Sequence, residues 1–291
     1  MIKNAILYKI SGVLFYGAPF HEILWEQKFT PCGLTQEKSY GWIPPRGEGD
    51  ALAEYSGDWV IFKMRTETKS VPSSVIKSAV AKKCELIEHQ TGRKPGKKER
   101  REMSEDCLFS LLPQAFPKQS DTLIFINRKS GMTFIGASSY AKTDDVISLL
   151  MKAFSSLQVE FISTQTDPNA MMANCLVTGD APNGFSIDRE CELKAIDESK
   201  SVVKYGRHSL DISEIPNHIA SGKIPTKLAM TWNDRVSFVL TDEMNIKKIN
   251  LLDIVFEEKH DNVDQFDADI AIFTGEFSRL VSDLIAALGG E

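Results

Sequence analysis

No stretch of this 291-residue chain approaches the roughly 18 consecutive apolar residues that a membrane-spanning helix needs. A short apolar run over residues 10–18 follows Lys3 and Lys9, but the residues after it do not resemble a cleavage site, and it reads as strand and turn rather than signal peptide. Cysteine is sparse: Cys32, Cys84, Cys107, Cys175 and Cys191 are odd in number, and the nearest two stand sixteen positions apart. That spacing excludes CxxC metal and redox motifs, argues against a disulfide framework, and makes a reduced cytoplasm the expected compartment. Each thiol reads best as a small buried apolar group. No two of the five histidines stand three or four residues apart, and no G-x-S-x-G elbow occurs, so neither a helix-borne zinc site nor serine-hydrolase chemistry has support.

What is present is ample core material: 42% hydrophobic residues and 25% charged, enough for a folded chain of one large or two ordinary domains. The net charge of −6 argues at first against a nucleic-acid partner. The charges, however, are segregated. Residues 77–101 hold nine basic side chains against three acidic ones, whereas residues 241–291 hold twelve acidic against four basic. The acidic end hides a basic patch from the total.

Strand patterns fall at residues 1–10, 59–64, 121–126, 132–137, 226–232 and 236–241, the last four as two hairpins. Between them the 3.6-residue period appears. Ile76, Val80, Cys84 and Ile87 form one helical stripe, with Ser73 or Ser74 as its cap, and Met103, Cys107, Leu108 and Leu111 form a second. Gly92-Arg-Lys-Pro-Gly96 separates the two, so residues 71–113 read as a projecting helical hairpin with a basic tip. Further helices are expected at 19–27, 144–157, 212–221 and 277–288, with short elements at 169–178 and 190–196. Strands and helices alternate without βαβ regularity, which predicts an α+β fold: an N-terminal region 1–160 carrying the hairpin and a C-terminal region 161–291.

Three motifs invite chemical readings. Gly92-Arg-Lys-Pro-Gly-Lys-Lys98 imitates a phosphate loop, but only three residues separate its glycines, and Lys98 stands where a Mg²⁺-binding hydroxyl is required. Glu257-Glu-Lys259 with Asp267 and Asp269 matches a loose metal-nuclease pattern. The whole segment is dense in acids, so a solvated acidic loop is the stronger expectation. Lys204, Arg207, Lys223, Lys227 and Arg235 are spread over an ordinary exposed face. No catalytic residue, cofactor or metal ligand is expected.

Several stretches, in order along nearly the whole chain, resemble the RdgC family of bacterial recombination-associated proteins. They are Phe29-Thr-Pro-Cys-Gly33, Gly41-Trp-Ile-Pro-Pro45, Pro72-Ser-Ser-Val-Ile-Lys77 and Leu111-Leu-Pro-Gln-Ala-Phe116. Asn217-His-Ile-Ala-Ser-Gly-Lys223, Thr226-Lys-Leu-Ala229, Phe266-Asp-Ala-Asp269, Thr274-Gly-Glu276 and Leu288-Gly-Gly290 complete the set. The resemblance implies a non-enzymatic, nucleoid-associated protein whose horseshoe-shaped subunits close into a ring-shaped homodimer with a basic hole. It implies binding to duplex and single-stranded DNA without sequence preference, and restraint of RecA-dependent strand exchange.

Carried over residue by residue, the resemblance places dimer contacts at Phe116 and at Arg207-His208, where one family member has Lys-Gln. It places DNA contacts at Lys223 and Lys227, which flank the turn around Gly222 and Pro225. Gln114 replaces a basic residue of the family, with Lys118 close by to supply the charge; Lys97, Lys98, Arg100 and Arg101 add the hairpin tip. Two rival readings remain: a metal-dependent nuclease built on the C-terminal carboxylates, and a regulator that touches RecA through its acidic C-terminal face.

Overall fold

The computed structural model describes residues 1–12, 20–47, 49–255 and 264–290. Among these, twelve strands paired antiparallel form a single sheet accompanied by seven α-helices, an α+β architecture. The turn expected beyond Gly12 lies outside the described residues, as does Glu257-Glu-Lys259.

Strand β1 (Asn4–Ser11) joins two halves of the sheet. One of its edges pairs with β6 (Met132–Ile135), and from there the order runs through β5 (Pro117–Asn127) and β4 (Trp59–Lys69) to β2 (Lys38–Ile43), with β3 (Glu54–Ser56) also on β4. The other edge pairs with β7 (Gln158–Phe161) and, through Asn4 and Ala5, with β12 (Ile246–Leu251). Beyond β12 the order is β11 (Val236–Thr241), β10 (Lys223–Trp232), β8 (Phe185–Ala195) and β9 (Val202–Gly206). This central position explains the loose alternation of β1. Ala5 and Leu7 enter one core while Ile6, Tyr8 and Ile10 enter the other, so both faces must be apolar.

The first core lies between one face of the sheet and helices α5 (Pro168–Thr178) and α7 (Gln265–Ala287). It draws Phe125 and Phe134 from one half and Leu228, Met230 and Phe238 from the other, so it takes side chains from both sides of residue 160. Phe273 and Phe277 of α7 meet Phe125 and Phe134 at ring separations of 5.1 and 4.8 Å. The second core lies on the opposite face, where Phe62, Ile124 and Ile126 pack against Val146, Leu149 and Leu150 of α4 (Tyr140–Ala153). Beyond β1 that second face changes character. On β8 to β12 it carries charged side chains where the other half carries α4.

Helices α2 (Ser73–Thr91) and α3 (Lys97–Leu111) form the expected hairpin, closed by Gly92 at φ +70°. Ile76, Val80, Cys84 and Ile87 are half-buried, as the stripe predicts, yet no α2 residue is fully buried. Pro72 occupies the cap position instead of a serine, leaving Ser73 as the first helical residue without a side-chain cap bond. Asn233 and Asp234, at φ +45° and +53°, give the β10–β11 hairpin the handedness of a type I′ turn.

Other expectations shift. The helix read over 144–157 begins four residues earlier, and α6 (Glu214–Ala220) is shorter than expected. The terminal helix is twice the expected length, because Asp264 caps it by accepting from the Phe266 amide at 2.8 Å. The acidic residues 264–269, expected as loop, open a helix whose N-terminus favours negative charge. Strands β2, β3, β7, β9 and β12 were not legible, being short or twice interrupted by charge. Cys107, Cys175 and Cys191 are buried as expected, whereas Cys32 and Cys84 are only half-buried.

Candidate nucleic-acid interface

The face of β8 to β12 opposite the first core holds a depression of about 680 Å³ lined by Lys204, Arg207, Lys227, Lys247 and Lys248 together with Glu190 and Glu192. Five cations against two carboxylates leave a surplus of three positive charges in a chain whose total is −6. Sheet register gathers them. Lys204 stands opposite Glu192, which stands opposite Lys227, while Lys247 stands between Val239 and Asn4.

Two local irregularities build this lining. Ile246 and Ile249 both enter the core, which a regular strand with a two-residue period does not allow. An extra residue in β12 resolves the conflict: β11 advances two positions from Ser237 to Val239 while β12 covers three from Asn250 to Lys247. Lys248 takes a left-handed conformation at φ +52° within this bulge, and Lys247 and Lys248 both line the depression. Arg207, in the turn after β9, has φ +56° and reaches the same depression.

The charges are partly paired. Glu192 accepts from Lys227 at 2.9 Å, Lys204 at 3.0 Å and the Thr226 hydroxyl at 3.0 Å. Burial pushes its pKa up, but those three donors outweigh burial and hold it down at about 2. Glu190 accepts from Lys248 through both oxygens at 2.6 and 2.7 Å. Arg207 and Lys247 form no ion pair among the described residues.

The expected site residues are thus partly regrouped. Lys227 lies in the depression, but Lys223 does not. The two lysines share strand β10 rather than flanking a turn, and a bulge at Thr226 reverses the alternation between them. Lys223 sits opposite Ala195 and Lys227 opposite Glu192, on opposite faces. Lys118, exposed at the start of β5, is remote in sequence and strand order from the depression. Arg207, expected at a dimer contact, lines the cationic surface, while exposed His208 places Nδ1 2.7 Å from the Ser209 carbonyl oxygen and its ring 6.1 Å from Tyr205.

Lys97, Lys98, Arg100 and Arg101 are exposed on the first turns of α3. Arg101 pairs with Glu105, and the neighbouring Arg93 grips Glu99 at 2.8 and 3.1 Å, so the hairpin's own acids take up part of its charge. Phe116 is 93% exposed between the end of α3 and β5, so it is no core residue. The sequence reading missed Lys247 and Lys248, counted within the acidic end, and treated Lys204 as an ordinary surface group. The pattern Ile246-Lys-Lys-Ile249 was the available signal.

The carboxylates of the nuclease pattern are differently engaged. Arg46 pairs with Asp264, Asp267 and Glu54 and lies 4.8 Å from the Phe266 ring, while Gln265 donates to Asp269 at 2.9 Å. Among the described residues no three His, Cys, Asp or Glu side chains are grouped as metal ligands, and no helix is long and apolar enough to cross a membrane.

The motifs of the family resemblance meet in this fold. Gly41 lies so close to the loop before Cys32 that a Cβ would stand 2.6 Å from the Phe29 backbone. The family model described as "RdgC: Putative exonuclease, RdgC" matches residues 1–291. The chain is 42% identical to the recombination-associated protein RdgC of Dechloromonas aromatica, over 99% of this chain and 97% of that protein. It is 39% identical to the protein of the same name from Herminiimonas arsenicoxydans, over 99% and 98%, and 39% identical to that of a Janthinobacterium species, over 90% and 89%. Matched over residues 1–291 by the family model and over 90–99% of its length by these relatives, the chain belongs to the RdgC family of recombination-associated proteins.

Proposed function

We propose that this protein is a non-enzymatic, sequence-independent DNA-binding protein that closes as a ring-shaped homodimer of horseshoe-shaped subunits. It encloses duplex or single-stranded DNA, associates with the nucleoid in the cytoplasm, and restrains RecA-dependent recombination by occupying DNA. The observation that carries this reading is the cationic depression on the sheet face opposite the first core. Lysine and arginine heads on a broad open surface suit phosphates, which they can neutralise with release of counterions while base edges go unread. Two further features support self-association: the fully exposed Phe116 and the α2–α3 hairpin, whose outer helix buries no residue in the subunit.

Fluorescence anisotropy on two unrelated duplexes over a salt series tests the reading. The expected result is equal affinity for both, falling with salt at a slope of roughly −0.9 per phosphate neutralised. A strong preference for one sequence, or no binding, overturns it. The family description as an exonuclease keeps the metal-dependent nuclease as the rival. Against it stands the pairing of Asp264 and Asp267 with Arg46, which gives both acids a role in anchoring α7. Nicking of supercoiled plasmid in Mg²⁺ or Mn²⁺ that disappears in folded Asp267→Ala would establish the rival.

A further inference from the structure

We propose that the cationic depression is a seat for the phosphodiester backbone whose lysines are held in reserve by Glu190 and Glu192, so that these two carboxylates set the protein's affinity for DNA. The proposal rests on the DNA-binding reading and names its contact site and its brake.

The geometry is that of an occupied anion site. Lys204, Lys227 and the Thr226 hydroxyl converge on the carboxylate of Glu192, and Lys248 closes on both oxygens of Glu190. Each carboxylate stands where an oxyanion of a phosphate would receive the same donors. Glu190 and Glu192 are two residues apart on β8, hence roughly 6–7 Å along the strand. That is close to the separation of neighbouring phosphates on one nucleic-acid strand. Arg207 and Lys247, on the same depression, form no ion pair among the described residues and offer the first purchase to an incoming strand.

The outer pairs, made by Lys204 and Lys248, are built to exchange rather than to hold the fold, whereas the half-buried Lys227–Glu192 pair also ties β10 to β8. The Lys204 and Lys248 side chains are 69% and 64% exposed, and ion pairs so open to water contribute little to stability. Lys248 and Arg207 both occupy the left-handed region, which glycine adopts freely and other residues avoid. The bulge at Lys248 and the turn at Arg207 thus bring two cations from different elements to one depression. When a phosphate arrives it must displace a carboxylate, and the displaced carboxylate then repels the backbone. Glu192 stays ionised throughout the neutral range, so the brake is constant there and yields to competition rather than to pH.

Anisotropy with a labelled duplex and a labelled oligothymidylate tests this on Glu192→Gln, Glu190→Gln and Lys247→Glu, each checked for folding by circular dichroism. Glutamine keeps the acceptor and removes the charge. Either glutamine variant is expected to bind both probes about fivefold more tightly than wild type, the effect of removing one nearby like charge. Lys247→Glu is expected to weaken binding to both and to flatten the salt slope by roughly 0.9 or more. Wild-type protein that binds both probes while the folded glutamine variants bind no tighter overturns the brake. Unaltered binding by Lys247→Glu overturns the seat. Wild-type protein that binds neither probe instead overturns the DNA-binding reading on which both rest.

Discussion

At the scale of single residues, two buried or half-buried glutamates do different work. Glu192 has its pKa held at about 2, below the ordinary 4.5, because three donors outweigh its burial. A depressed carboxylate stabilises the fold above its unfolded pKa and loses that contribution as the pH falls through the folded one. Wild type is therefore expected to exceed Glu192→Gln in urea midpoint at neutral pH, with the gap closing as the pH drops from about 4.5 towards 2. A gap independent of pH would contradict the pairing. Glu276 is 4% exposed and receives Arg235 at 2.8 and 3.1 Å on the underside of α7. Truncation to alanine takes away the carboxylate that Arg235 and Arg279 both face, and denaturant unfolding of Glu276→Ala is expected to show a loss of about 2 kcal/mol, the scale of hydrogen bonds to a charged group. The Thr274-Gly-Glu276 motif was visible in the sequence, but its partner, 41 positions away, was not.

At the scale of elements, the bulge in β12 sets placement against stability. Lys248 at φ +52° carries strain of about 1–2 kcal/mol relative to a residue in a favoured region, and glycine there would relieve most of it. Lys248→Gly is expected to keep or slightly raise the melting temperature while weakening DNA binding in the anisotropy assay. A lowered melting temperature would mean that the Lys248–Glu190 pair matters more to the fold than to the ligand. The helical hairpin shows the opposite case, an element legible from its own residues. Its stripe, its Gly92 break and its end before Pro113 all rest on contacts within about forty residues, and the helices run where the period places them. The strands around the acidic end were harder to read, because Lys247 and Lys248 interrupt an alternation that only the bulge restores.

At the scale of the whole molecule, α7 and β1 tie the two halves of the sheet together, through Phe273 and Phe277 on one face and through the pairing of Asn4 with Lys247. Phe116 plays no part in that internal packing. On the proposed dimer, Phe116→Ser is expected to leave the circular dichroism spectrum unchanged and to lower the mass seen by light scattering towards the monomer on dilution. A mass that stays dimeric at every concentration would remove Phe116 from the contact.

The local pattern of the sequence determined the α+β class, the hairpin and its half-buried stripe, the two β-hairpins, the segregation of charge, and, through motifs spread along the chain, the family. These depend on periods of two and 3.6 residues, on turn chemistry and on composition, all of which are properties of neighbours. Only the tertiary structure decided which charges act together. A bulge at Thr226 turned Lys223 and Lys227 to opposite faces, another at Lys248 turned two lysines to one, and strand order set residue 204 beside residues 192 and 227, and residue 247 beside residue 4. The physical reason is that a side chain's face follows its register with partner strands, and one extra residue in a ladder reverses every face beyond it.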